Sequence, residues 1–156
     1  MDELIRLINE AQDEWGKETV AAIIRKMKSY PIRWQGTLQR SIMYEQDDQT
    51  GEIEFHMADY GEFIDEGVNG TLIGRNAPSS FHGNIGGTAF HLKQWASAKG
   101  LNPWAVATNL QKRGIKPRPF FKSVIENRID DLGEVMLEVQ AEYLDRVINE
   151  GNNQNI

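Results

Sequence analysis

Both ends of this sequence carry long apolar stripes at helical spacing, and that feature limits the fold more than any other. Over residues 2–30, Leu4, Ile8, Ala11, Trp15, Ala22, Ile23 and Met27 recur at three- and four-residue steps, which places them along one face of an amphipathic helix. Asp2 is positioned to cap it, and Pro31 ends it because a residue before proline is pushed out of the helical region. From Phe121 onward Ile125, Ile129, Leu132, Met136, Val139, Tyr143 and Val147 repeat in the same way to about Glu150; Gly133 weakens this helix without ending it. Two such helices need a surface on which to bury their stripes. Ile42 and Tyr44 alternate with polar neighbours, as do Ile53, Phe55 and Met57, and the turn-rich run Asp47-Asp48-Gln49-Thr50-Gly51 lies between them, the pattern of a β-hairpin. The expected class is α+β: an antiparallel sheet, built from the hairpin and further short strands, covered by long N-terminal and C-terminal helices, with a loop and two short helices inserted.

The middle of the chain is punctuated differently. Tyr60, Phe63 and Ile64 stand one turn apart, and Gly67 follows as a left-handed stop for a short helix. Val68 to Thr88 is rich in Gly, Asn and Ser with Pro78 inside; a stretch of that length in a compact domain is expected to order against neighbours. Thr88 and Gly100 bracket a helix from Phe90 to Lys99. Asn102 as cap, Pro103 at the first helical position and Gly114 just past the end bracket a second, Trp104 to Arg113, with Leu101 and Val106 at staple positions. A length of 156 residues supports one core, so a single domain is expected over 1–150, followed by a flexible polar tail at 151–156.

Composition excludes several functions. The net charge of −6 does not suit a protein that gains affinity by neutralising phosphates. The absence of cysteine rules out disulfides and thiolate metal sites. The first ten residues lack the basic start and apolar run of a secretory signal, and no stretch has membrane-spanning length; synthesis in the cytoplasm, with no membrane partner, is expected. His56, His82 and His91 are the whole histidine supply, and no pair has the four-residue helical spacing of a two-His metal face. Asp65-Glu66 and Asp130-Asp131 are adjacent, so on a helix each pair diverges by about a hundred degrees and does not converge on one bond. Gly70, Gly74, Gly83, Gly86 and Gly87 are not followed by the Lys-Ser or Lys-Thr of a phosphate-binding loop. Ser41, Ser79 and Ser80 lack a nucleophile-elbow context. Catalytic, cofactor and metal residues are therefore set at none, the rival reading being a hydrolase that uses His82 or His91 with Asp65.

Aromatic residues outside the regular stripes are plentiful: Trp34, Tyr60, Phe81, Phe90, Trp95, Trp104, Phe120 and Phe121. Phe120 and Phe121 are adjacent, so one ring faces the core while the other turns away, and aromatics are enriched in interface hot spots. Four segments then stand in order: Gly36-Thr37-Leu38-Gln39-Arg40-Ser41-Ile42; Asp59-Tyr60-Gly61-Glu62-Phe63-Ile64-Asp65-Glu66-Gly67; Trp95-Ala96-Ser97-Ala98-Lys99-Gly100-Leu101; and Gly114-Ile115-Lys116-Pro117-Arg118-Pro119-Phe120-Phe121. This order resembles the family of small tailed-phage neck proteins known as tail-completion, head-tail joining or minor tail proteins. The resemblance implies a structural virion protein, not an enzyme, that forms a homo-oligomeric ring at the neck, between portal-side or adaptor proteins and tail proteins. DNA would pass through its lumen without sequence-specific binding. The subunit interface expected from it comprises Tyr60, Phe63, Asp65, Glu66, Gly67, Phe81, Arg118, Pro119, Phe120 and Phe121. In that reading Arg118→Ala and Phe120→Ala leave a folded subunit and weaken the ring. A second reading is a prophage-encoded regulator or inhibitor that binds one host protein through the same aromatic elements, without enzymatic activity.

Overall fold

The computed structural model of the chain describes residues 2–31, 36–82 and 85–153. Trp34, and the side chains of His91 and Trp95, lie outside that description. The elements are α1 (Asp2–Ser29), α2 (Gly36–Ser41), β1 (Met43–Gln46), β2 (Ile53–His56), α3 (Tyr60–Glu66), α4 (Ile85–Ala98), α5 (Pro103–Arg113) and α6 (Lys122–Asn153). Mixed helix and antiparallel sheet, with long first and last helices packed together, is the class expected. Contacts group into two units, a finer division than the single domain expected over 1–150. A terminal unit holds Met1–Met57 with Phe120–Ile156, and a middle unit holds Ala58–Pro119.

In the terminal unit α1 buries Gln12, Trp15, Thr19, Ile23 and Met27, residues three or four apart that form one face. Ile23 and Met27 are completely removed from water, which stabilises by about 1.5–3 kcal/mol for each side chain. Asp2 stands inside the first turn instead of capping it, where its charge still favours the helix N-terminus. Trp15 Nε1 donates to the Arg128 carbonyl at 3.0 Å, Arg128 Nε donates to Thr19 Oγ1 at 3.0 Å, and Arg146 pairs with Glu3 at 2.8 Å. Pairing early residues of α1 with late residues of α6 makes the two helices antiparallel. The half-buried residues of α6 include Ile125, Leu132, Met136, Val139 and Tyr143, as the spacing implies, but Ile129 and Val147 are about half exposed. The helix also runs to Asn153, past the expected end at Glu150.

The hairpin forms in the register Tyr44↔Phe55. Asp47 accepts from the N–H groups of Gln49 and Thr50, and the Gly51 N–H closes the turn on the Asp47 carbonyl. One face lies on α1. Trp15 and Phe55 meet edge-on at 5.7 Å between ring centroids, the arrangement the ring quadrupole favours, and the Tyr44 hydroxyl donates to Asp13 Oδ1 at 2.6 Å. A Cβ on Gly16 would stand 2.6 Å from the Tyr44 ring, so the absence of a side chain lets strand and helix approach. Gln12, Asn9 and Gln46 add amide bonds between α1 and the hairpin. Among the described residues the sheet has these two strands. The further strands expected are replaced by isolated bridges, Val68↔Ile115 and Asn69↔Ser80.

In the middle unit α5 has the expected ends: Asn102 accepts from the Trp104 and Ala105 N–H groups, Pro103 opens the helix and Gly114 closes it at φ +70°. Helix α4 begins at Ile85, upstream of the expected start after Thr88, and takes Gly86 and Gly87 into its first turn. Packing against α5 overrides their low helical propensity. Ala89, Ala96 and Ala107 are buried, and small residues of that kind allow two helices to approach closely. Among the described residues, no helix is long and apolar enough to cross a membrane.

Candidate functional site

The expected interface residues do not share one environment. Tyr60 and Phe63, on α3, are 46 % and 45 % exposed. Pro119 is exposed, and Glu66, Phe81, Arg118 and Phe121 are half-buried. Asp65 is 4 % exposed and Gly67 is buried, so neither presents itself to a neighbour. Phe120 has no exposed surface at all. This corrects the expectation for Phe120: of the adjacent rings it is the one that fills the core, so truncating it removes core volume before it touches any interface. Phe120 and Phe121 belong to the terminal unit, and the other eight residues to the middle unit.

Within the middle unit, the segment ending in Gly67 and the segment from Gly114 to Arg118 are held side by side by backbone bonds. Val68 N–H donates to the Ile115 carbonyl at 2.9 Å, Ile115 N–H returns a bond to the Val68 carbonyl at 2.8 Å, and Arg118 N–H donates to the Ile64 carbonyl at 3.0 Å. Two glycines permit this seam. Gly67, at φ +77°, would put a Cβ 2.6 Å from the Ile115 carbonyl and 2.7 Å from the Pro117 ring. Gly114, at φ +70°, would put one against the Val68 carbonyl and the Gly70 nitrogen. Positive φ together with contact distances that real Cβ atoms do not reach explains glycine at both positions. The helix stop expected at Gly67 is present, with ψ 179° in place of a left-handed helical turn.

The loop after the seam is more ordered than its composition announces. Asn69 organises it. Its side-chain oxygen accepts from Arg75 N–H at 2.7 Å and Ala77 N–H at 3.1 Å, and its amide nitrogen donates to the Ala77 carbonyl at 2.7 Å and to Ser80 Oγ at 3.2 Å. Its backbone bonds to Ser79 and Phe81, which puts Phe81 next to the seam. Thr71, Leu72 and Ile73 N–H groups donate to the carbonyls of Gln111 and Lys112, and Arg75 Nε donates to that of Arg113. These are last-turn carbonyls of α5, which have no partner inside their own helix. The loop thus serves as the C-terminal cap of α5. The signal that was available is an Asn directly before Gly70.

Of the residues named for the rival hydrolase, the side chain of His91 lies outside the described residues. Asp65 is shielded while His82 is exposed. His56, on the hairpin, lies 3.5 Å from Glu54 and 3.9 Å from Glu45, longer than well-formed hydrogen bonds. Among the described residues no group of three or more His, Asp or Glu is placed to hold a metal ion.

Periodicity did not reveal a second set of exposed apolar residues. Phe90, Leu101 and Trp104 on the α4–α5 pair, and Leu137, Leu144 and Ile148 on α6, are each between 45 % and 75 % exposed. Set against family models, curated proteins and solved structures, the chain matches none.

Proposed function

We propose that this chain is a structural subunit of a tailed-phage virion. It forms a ring at the neck that completes the head or tail end, joins the two around the DNA exit channel, and catalyses no reaction. One observation carries the reading. Two of the four segments that carry the resemblance, Tyr60 to Gly67 and Gly114 to Arg118, are far apart in sequence yet bonded to each other through Val68, Ile115, Ile64 and Arg118. The seam fixes a surface on which Tyr60, Phe63 and Pro119 remain in solvent and Arg118 half so. Aromatic rings and an arginine on a rigid support are the residues from which subunit contacts draw most of their energy. Charge fits the same role. The terminal unit carries 19 acidic against 10 basic residues, a net of −9, and like charge lets DNA slide past instead of holding it.

The test is recovery of the chain in purified particles and its location at the head-tail junction by labelled electron microscopy. A strictly solitary subunit that is also missing from intact particles overturns the proposal. Arg118→Ala and Tyr60→Ala are expected to fold normally and to weaken ring formation by about 2 kcal/mol where the residue is a hot spot, read by native mass spectrometry across protein concentration.

A further inference from the structure

Large apolar side chains exposed in a contiguous patch mark a surface that binds something, and among the described residues two such patches have opposite electrostatic character. The first is a groove of about 580 Å³ between α4 and α5, lined by Ala89, Phe90, Lys93, Ser97, Pro103 and Trp104 among others. Phe90 and Trp104 are 75 % and 59 % exposed, and no acidic residue is among the described lining. The middle unit that carries the groove has four acidic against seven basic residues, a net of +3.

The second patch is on α6. Leu137, Leu144 and Ile148 are 67 %, 58 % and 59 % exposed. With Ala141 they stand at alternating four- and three-residue steps, the spacing of a two-heptad seam about 17 Å long. At about 100° per residue, these side chains leave the helix on the side away from half-buried Leu132, Met136, Val139 and Tyr143. Glu134, Glu138, Glu142 and Asp145 line one edge of the seam. Arg146, the one basic residue between positions 129 and 153, is paired with Glu3 at 2.8 Å.

We infer that the two patches are the halves of one contact: the α4–α5 groove of one copy receives the α6 seam of the next. A second copy is the occupant because the complement of each patch is present on the same chain. An apolar helical stripe with an acidic edge meets an aromatic groove that carries a lysine, in the helix-in-groove mode of recognition. Pairing either patch with itself would oppose like charges, acid to acid along α6, which disfavours the isologous alternatives. A contact between unlike surfaces runs head to tail and closes into a ring when its rotation closes. The inference deepens the neck-ring reading, on which it rests for its setting, by naming a pair of surfaces that would join copies in addition to the one that carries Tyr60 and Arg118.

Two blocked variants test it. Trp104→Asp damages the groove and Leu144→Asp damages the seam, and both positions are exposed, so circular dichroism is expected to match that of the unaltered chain. By native mass spectrometry each variant alone should associate about 30-fold more weakly or worse. Their equimolar mixture should give a dimer and nothing larger, because one intact groove and one intact seam remain. Self-association of either variant alone at the unaltered strength, or a mixture that stays monomeric, overturns the inference. The chain has no cysteine, so a mixture of Ser97→Cys and Ala141→Cys, treated with a short bis-maleimide, captures even a weak contact. A linked pair from the mixture and none from either alone is expected, and no linked pair overturns the docking. Rings that tolerate both blocked variants sink this docking and leave the neck reading standing. Complementing variants of a chain that is absent from particles do the reverse.

Discussion

The terminal unit and the middle unit are held together by different kinds of interaction. In the terminal unit, side chains do most of it: the buried face of α1, the Trp15–Phe55 edge contact, and Trp15 and Arg128 bonding across to the facing helix. In the middle unit, the backbone does: a two-bond bridge between Val68 and Ile115, a loop that caps α5, and glycines where no Cβ fits. The difference concerns what each unit tolerates. The first is sensitive to losing side-chain volume and the second to gaining it.

The largest effect expected is therefore a deletion in the terminal unit. Phe120→Ala removes a fully buried ring and should cost about 4 kcal/mol, read as a lower urea midpoint at unchanged slope. Unaltered stability with weakened assembly would return Phe120 to an interface. Next comes an addition in the middle unit. Gly114→Ala adds one methyl group at φ +70° against the Val68 carbonyl, and should cost about 3 kcal/mol from strain and overlap. Hydrogen exchange gives it a signature that Phe120→Ala lacks: faster exchange at Val68, Ile115 and Arg118 while the hairpin amides stay protected. Equal loss of protection across both units would erase the comparison.

This contrast also decides how much was legible in the sequence. The long helices and the hairpin of the terminal unit are legible, because Ile23, Met27, Tyr44 and Phe55 announce themselves through period and alternation. What periodicity does not show there is the short helix α2, the place of Asp2 inside the first turn, the two-strand limit of the described sheet, the run of α6 past Glu150, and the exposure of Ile129 and Val147. Helix α5 was equally clear, since Asn102, Pro103 and Gly114 each have a local mechanism. The seam was not visible. Hydrogen bonds between Val68 and Ile115 use backbone groups that every residue has, so no side-chain pattern encodes them. The glycines that permit the seam resemble loop glycines until their neighbours are known. Helix α4 begins at Ile85, earlier than its local signals imply, because tertiary packing holds the Gly86-Gly87 pair helical. Of the expected interface, Tyr60, Phe63 and Pro119 are exposed, whereas Asp65, Gly67 and Phe120 are buried; short motifs do not say which of their members face inward.

A smaller change probes the ordered loop. Asn69→Ala removes four side-chain bonds in a part-buried setting, and should cost about 1–2 kcal/mol. Because Thr71, Leu72 and Ile73 cap α5, amides near Gln111 to Gly114 should exchange faster too. A loop that loosens with no effect on the end of α5 would show that the cap stands without its organising residue.

The smallest effect is electrostatic and belongs to the terminal unit. Hydrogen bonds from the Gln49 and Thr50 backbone hold the Asp47 carboxyl below its ordinary value of 3.8, and a bond from Lys17, then one from Tyr44, does the same for Asp13. A carboxylate with a depressed folded pKa binds protons more readily in the unfolded chain, so its stabilisation is present above the unfolded value and fades as pH falls through the folded one. Asp47→Asn keeps an oxygen acceptor at the turn but no charge. Its melting temperature should lie slightly below that of the unaltered chain at pH 6, and the gap should close as the pH is taken below 3.8. Asp13 titrates in both proteins and cancels in that difference. A gap that persists undiminished at pH 2 would mean that Asp47 acts through its shape at the turn, not through its charge.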